Sequence, residues 1–220
     1  MPRNVVFAAP FPTYDVMRFV KALSRLDDVR LLGVFGRITD EVRTFCDDVA
    51  LVDDGTSVDD LTEAVKLLSR KHGRVHRLVG INEVLMVQLA QVRERFDIAG
   101  TPVKTATLFR EKALMKEALR AAGLPVAKHA LVITVKQALQ FGERVGFPLV
   151  VKPPAGVGAK STYRAATADE LVQVLGRMAP HPERPVLVEE MLQGTEHSFE
   201  TITVKGTPRA FSFSDYLPGC

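Results

Sequence analysis

Tryptophan is absent from this sequence of 220 residues, and cysteine occurs only twice, as Cys46 and Cys220. The two cysteines lie far apart and form no Cys-x-x-Cys or Cys/His pattern, so the sequence predicts no zinc site and fits a reducing compartment. No stretch reaches the roughly 18 apolar residues of a membrane span, and no basic segment followed by an apolar core marks the N-terminus. We therefore expect a soluble, cytoplasmic protein that does not bind a membrane.

Charge of one sign is not concentrated anywhere in the chain. The 29 basic and 26 acidic residues give a net charge of +3, and no basic run is interleaved with aromatic residues. A nucleic-acid partner is therefore not expected. With 46% hydrophobic and 25% charged residues, the composition suits one large globular domain or two smaller ones.

The common phosphate-binding fingerprints are also missing. The first predicted strand is followed by APFPTYD, which contains no glycine, so no dinucleotide-binding turn is predicted there. Lys160 is preceded by Ala159 and followed by the strand-like STYRAA, whereas a Walker A loop needs Gly-Lys and then a helix. Gly156 and Gly158 are followed by Ser161 where a third glycine would complete G-x-G-x-x-G.

Strands and helices alternate through the first hundred residues. Short apolar runs predict strands over residues 4–8, 30–35, 49–52 and 75–81. Apolar residues at helical spacing predict helices over residues 15–26, 58–69 and 83–96, the second of them capped by Ser57. Because parallel strands need crossover connections, this alternation predicts a Rossmann-like domain over residues 1–100.

The pattern changes after Gly100 and Pro102. A helix is predicted from about residue 108 to 122, ended by Gly123, and further helices over residues 134–145 and 168–178. Strands are predicted in LPVAKHALVI, PLVVK, STYRAA and VLVEEML. Two antiparallel strands around a glycine loop, braced by helices, indicate a compact α+β unit.

Residues 145–164, VGFPLVVKPPAGVGAKSTYR, are the most informative segment. A strand ending in Lys152 leads into a loop with two glycines and Lys160. A plain hairpin turn explains such a loop when it stands alone. Here it lies between Lys112, at a helix entrance, and the segment VLVEEMLQGTEHSFE, which contains four glutamates: Glu189, Glu190, Glu196 and Glu200.

Three segments in this order resemble the ATP-grasp superfamily, which includes biotin carboxylase and many carboxylate to amine ligases. The segments are REKALMKEALRAAGLPV, GFPLVVKPPAGVGAKS and VLVEEMLQGTEHSFE. The resemblance runs from about Thr101 to the end of the chain. It implies an α/β fold in which a Rossmann-like pre-ATP-grasp domain (1–100) precedes a partial α+β ATP-grasp domain. That domain comprises a small lid subdomain (101–185) and the start of a second subdomain (186–220).

The resemblance also implies roles for individual residues in binding ATP. Lys112 would contact the phosphates, and Lys152 would lie over the adenine and α-phosphate. Glu189 would lie at the hinge, and Glu200 would face the phosphates or the acceptor. The remaining residues would cover the β and γ phosphates (Ala155, Gly156, Val157, Gly158, Ala159, Lys160, Ser161), read adenine through the backbone (Glu190, Leu192) and bind the ribose (Glu196).

Two functions remain open. The chain is either the ATP-binding part of a ligase that activates a carboxylate as an acyl phosphate for attack by an amine or similar nucleophile, or a non-catalytic nucleotide-binding or interaction module. The family's magnesium ligands lie downstream of Glu196, so Mg²⁺ is expected to be bound outside this chain, which we expect to be a fragment or a short product. A homo-oligomer is possible, and no catalytic residue is assigned. Glu83 is a candidate substrate contact, although a glutamate at a helix start is also favoured by the helix dipole.

Overall fold

The structure is a computed structural model, and it describes residues 2–156 and 161–216. The described residues form ten strands, numbered β1 to β10: Arg3–Ala9, Val29–Phe35, Asp48–Leu51, Val75–Val79, His129–Val132, Leu149–Lys152, Tyr163–Ala165, Val186–Glu190, His197–Val204 and Thr207–Asp215. They form eight α-helices, α1 to α8: Tyr14–Leu23, Asp40–Phe45, Val58–His72, Met86–Arg95, Val103–Arg110, Lys112–Ala121, Val135–Val145 and Ala168–Met178. A 3-10 turn, Glu83–Leu85, precedes α4.

The chain divides into two compact units. The first unit contains residues 1–126 and 153–161, and the second contains residues 127–152 and 162–220. The start of the glycine loop therefore groups with the first unit, although it follows β6 of the second. The domain boundaries predicted at residues 100 and 185 stay predictions.

A four-stranded parallel sheet with the order β3-β2-β1-β4 forms the centre of the first unit. Side chains of β1 alternate between two cores, since successive residues of a strand point to opposite faces. Val6 and Ala8 pack with residues of α3 and α4, while Val5 and Phe7 pack with residues of α1. Burial on both faces is typical of a parallel sheet between helices, so the predicted Rossmann-like arrangement is confirmed.

Local capping signals position the helices of this sheet. The Ser57 side chain accepts a hydrogen bond from the backbone N–H of Asp60 at 3.2 Å, which confirms the predicted cap of α3. Asp59 and Asp60 lie in the first turn of α3, where negative charge is favourable. The end of α6 is also as predicted: Gly123 has φ of 77° and its N–H donates to Arg120 O at 3.0 Å.

The single helix predicted over residues 108–122 is wrong in its first turn. Residues 108–110 belong to α5, and α6 begins at Lys112. Glu111 between them has an extended backbone, with φ of −93° and ψ of 103°. The Lys112 N–H then donates to Pro154 O at 3.2 Å, a bond that takes the place of a continuing helical bond.

The second unit contains an antiparallel sheet with the order β5-β8-β6-β7, and β6 pairs with β7 as predicted. One face of this sheet packs against α7 and α8, where Leu149, Val151 and Val188 are fully buried. The last two strands form a separate antiparallel hairpin, β9–β10. Among residues 2–156 and 161–216, no helix combines the length and the apolar character needed to cross a membrane.

Candidate functional site

Within the first unit, the junction of α5 and α6 holds the start of the glycine loop. Lys112 Nζ donates to Gly156 O at 2.9 Å, and the backbone N–H of Lys112 donates to Pro154 O. The structure places Lys112 against the start of the loop, and its predicted contact with the ATP phosphates stays a prediction. The helix entrance thus places one cation directly on the backbone of the loop.

Arg110 adds a second cation to the same segment. Its guanidinium donates from Nη1 to Gly156 O at 3.4 Å and from Nη2 to Ala155 O. Nη1 also lies 3.1 Å from Glu83 Oε1, and the Arg110 side chain is only 15% exposed. The sequence carries no signal for this contact of Arg110, because an arginine in the last turn of a helix is favoured by the helix dipole alone.

Glu83 has a role beyond a helix start. It lies in the first turn of the 3-10 helix, as expected for an acidic residue there, and it also forms the ion pair with Arg110. Glu83 lines a cavity of about 360 Å³ in the first unit, together with Asn82 and Arg93. Its predicted contact with a substrate stays a prediction.

In the second unit, Lys152 and Glu189 form an ion pair. Lys152 stands opposite Leu187 across β6 and β8, so Glu189, two residues farther along, is its diagonal neighbour on the same face. Lys152 Nζ lies 2.5 Å from Glu189 Oε2, and the side chains are 21% and 6% exposed. Leu149 and Val151 alternate to the other face, which packs against α7 and α8. The pair therefore lies on the face turned away from these helices.

The end of β8 is held by backbone and side-chain bonds. The Glu190 N–H donates to Lys128 O at 3.0 Å, and a Glu190 carboxylate oxygen accepts from the Lys128 N–H at 2.8 Å. Met191 N donates to Pro148 O at 3.2 Å, and the Leu192 side chain is 68% exposed. The predicted reading of adenine by the backbone of Glu190 and Leu192 stays a prediction.

The β9–β10 hairpin carries the last two predicted glutamates. The Glu196 carbonyl accepts from Tyr216 N at 3.1 Å, and the next residue, His197, bonds Asp215 Oδ1 through Nδ1 at 2.6 Å. Hydrogen bonds from Ser212 and then Ser198 hold the pKa of the Glu200 carboxyl below its usual value. Both glutamates are exposed, and their roles stay predictions.

Some predicted site residues lie outside the described part of the chain: Val157, Gly158, Ala159 and Lys160. Ser161, which follows them, is described and has a left-handed backbone with φ of 59°. Across residues 2–156 and 161–216, no three His, Cys, Asp or Glu residues lie together in a way that could hold a metal ion.

Comparison with known proteins gives matches along nearly the whole chain. The family described as "Carbamoyl-phosphate synthase L chain, ATP binding domain" matches residues 111–203. The L-arginine-specific L-amino acid ligase of Bacillus subtilis is 30% identical over 179 residues, which is 78% of this chain and 43% of the ligase.

Solved structures extend the likeness to the first unit. The crystal structure of an L-amino acid ligase from Bacillus licheniformis matches with a TM-score of 0.76 and 15% identity, over 97% of this chain and 50% of that chain. The biotin carboxylase domain of 2-oxoglutarate carboxylase from Hydrogenobacter thermophilus, in complex with MgADP, ADP and bicarbonate, has a TM-score of 0.70 and 18% identity. That match covers 90% of this chain and 46% of that chain. These likenesses confirm the predicted fold class, and the chain spans about half the length of these relatives.

Proposed function

Because the chain belongs to the ATP-grasp superfamily, part of whose fold it carries, we propose that it is the ATP-binding portion of an ATP-dependent ligase. In this proposal the parent enzyme activates a small carboxylate as an acyl phosphate, which an amine or similar nucleophile then attacks. The names of the similar L-amino acid ligases favour substrates of this class.

Two lysines, each with its contacts inside its own unit, give this proposal its main support. Lys152 ends β6 as half of a largely buried ion pair, and the next residue begins the loop segment whose Gly156 carbonyl accepts from Lys112. Long lysine stems can pack within protein while the ammonium groups reach an anionic ligand. A plain hairpin turn requires neither cation, so the lysine on each side of the loop favours binding of a polyphosphate.

In the reaction that we propose, no residue of this chain forms a covalent bond with the substrates. An oxygen of the substrate carboxylate attacks the γ-phosphorus of ATP, and ADP leaves as the acyl phosphate forms. The amine then attacks the acyl carbon, inorganic phosphate leaves, and the amine loses a proton. Lys112 and Lys152 would bind and orient the phosphates, because phosphoryl transfer depends mainly on positioning and on neutralising charge.

The described residues offer no magnesium site. Hard Mg²⁺ ions are bound by carboxylate and phosphate oxygens in octahedral geometry. No acidic cluster among the described residues suits that role. We therefore assign no magnesium ligand among residues 2–156 and 161–216.

The second function that we consider is that of a non-catalytic nucleotide-binding or interaction module. Such a module would bind ATP without transferring a phosphoryl group. A coupled assay for ADP, with the 220-residue chain, ATP, Mg²⁺ and a panel of amino acids, separates the two functions. ADP release that exceeds background and disappears in Lys152→Ala would exclude the non-catalytic module. Tight ATP binding without ADP release would exclude catalysis by this chain alone.

A further inference from the structure

Arg110 connects the first unit's ion pair with the backbone of the loop. Its guanidinium bonds Glu83 on one side and the carbonyl oxygens of Ala155 and Gly156 on the other. Arginine suits this position because its planar guanidinium has five donors in a fixed geometry, whereas a lysine ammonium is a single point charge. Glu83 in turn restrains the guanidinium through the ion pair. The Arg110 side chain is only 15% exposed.

These bonds fix the orientation of peptide groups at the start of the loop. A trans peptide group is planar, so its carbonyl and N–H point in opposite directions. Since the Ala155 carbonyl accepts from Arg110, the Gly156 N–H in the same peptide group points away from the guanidinium. The carbonyls of Pro154 and Gly156 are likewise engaged, by the backbone and the side chain of Lys112.

Three successive carbonyls are thus directed at the junction of α5 and α6. Backbone N–H groups that share one direction favour bound anions. We propose that Arg110 is a positioning residue: together with Glu83, it orients the peptide groups that join Pro154 to Ala155 and Ala155 to Gly156, so that the N–H groups of Ala155 and Gly156 face a polyphosphate. This inference rests on the proposed function, in which the loop covers the β and γ phosphates of ATP.

A role limited to stability makes a different prediction. Arg110 lies in the last turn of α5, where a positive charge is favourable for the helix itself. If that were its whole role, its replacement would destabilise the fold and would weaken all adenine nucleotides equally. A positioning role requires the loss to grow with the number of phosphates on the nucleotide.

The test compares wild type with Arg110→Gln, Arg110→Lys and the control Arg18→Gln. Arg18 is an exposed arginine of α1 in the same unit. Isothermal titration with ATP and with AMP gives the ratio of the two affinities for each variant, after circular dichroism has confirmed folding. We expect Arg110→Gln to lower the ATP affinity by about ten- to hundredfold, the effect of one charge-assisted hydrogen bond. AMP affinity should change by less than about twofold, and Arg110→Lys should give an intermediate ATP affinity.

A second measurement needs no nucleotide. Pro153 and Pro154 have no backbone N–H, so Ala155 and Gly156 are the first residues of the loop whose amides can be followed by NMR. Their chemical shifts and exchange rates should change in Arg110→Gln and stay unchanged in Arg18→Gln.

Each outcome of these measurements decides one question. Equal losses for ATP and AMP, or unchanged Ala155 and Gly156 amides in Arg110→Gln, would overturn the positioning role of Arg110 alone. Failure of the wild-type chain to bind ATP would overturn the proposed function and this inference with it. A selective loss of ATP affinity together with altered amides would support both.

Discussion

The ion pair between Lys152 and Glu189 allows a prediction in which the two single replacements have unequal effects. Lys152→Met keeps most of the apolar stem but removes the ammonium from a carboxylate whose side chain is 6% exposed. Removal of one partner of a buried pair costs about 3–5 kcal/mol. Because the lysine side chain is 21% exposed, solvent reaches part of the pair, and we expect a cost near the lower end, about 3 kcal/mol.

Glu189→Gln should cost less, about 1 kcal/mol, because the long lysine stem can turn its ammonium toward solvent. Replacement of both residues, as in Lys152→Met/Glu189→Leu, should restore stability to within about 1 kcal/mol of wild type, since it leaves no buried charge. Lys136→Met, at an exposed position on α7, is the matched control and should change stability by less than about 0.5 kcal/mol.

The assay is urea denaturation followed by circular dichroism, with amide hydrogen exchange in β6 and β8 as a probe of this sheet alone. Exchange in these strands should rise most in Lys152→Met. If Lys152→Met and Lys136→Met were equally stable, or if the glutamate replacement were the more costly one, the buried carboxylate of Glu189 would not depend on Lys152 as we predict.

Three further predictions concern stability and reactivity. In a Cys220→Ser background, Cys46 should react with a thiol reagent only after unfolding, because burial raises the pKa of its thiol to about 12; rapid labelling of the native chain would contradict this. A hydrogen bond from His72 is the largest of the interactions that lower the pKa of the Asp48 carboxyl to about 2. The stability that Asp48 provides should therefore be complete above about pH 4 and be lost toward pH 2. The difference in urea denaturation between wild type and Asp48→Asn should shrink over that range, and a constant difference would be inconsistent with the bond. Leu149→Ala should cost about 2–5 kcal/mol, and a loss of less than about 1 kcal/mol in the same assay would argue against its place in the core.

The features that could be predicted from the sequence depend on residues close together in the chain. The Ser57 cap needs only the N–H three residues later, and the end of α6 needs only the left-handed backbone that glycine adopts easily. The strands of the first unit are short apolar runs of the kind that a sheet buried on both faces requires. These signals are local, so the alternation of strands and helices can be predicted from the sequence.

The remaining features depend on long-range contacts. The interruption of the helix at Glu111 is stabilised by the hydrogen bond from Lys112 N to Pro154 O. No local sequence pattern predicts a partner so distant in the sequence. The pairing of Lys152 with Glu189 likewise follows from the register of β6 against β8, which the sequence does not specify. The contacts of Arg110 are of the same long-range kind, because the loop carbonyls come within its reach only in the folded chain.

Titration of ATP into the purified chain measures whether this segment binds the phosphates of a nucleotide. We predict that wild type and Lys136→Met bind ATP with equal affinity. Lys152→Met, at a temperature where it is folded, should bind at least about tenfold more weakly, the loss expected for one charge-assisted contact. Absence of ATP binding by the folded wild-type chain, or equal ATP affinity in all three proteins, would contradict phosphate binding by this segment.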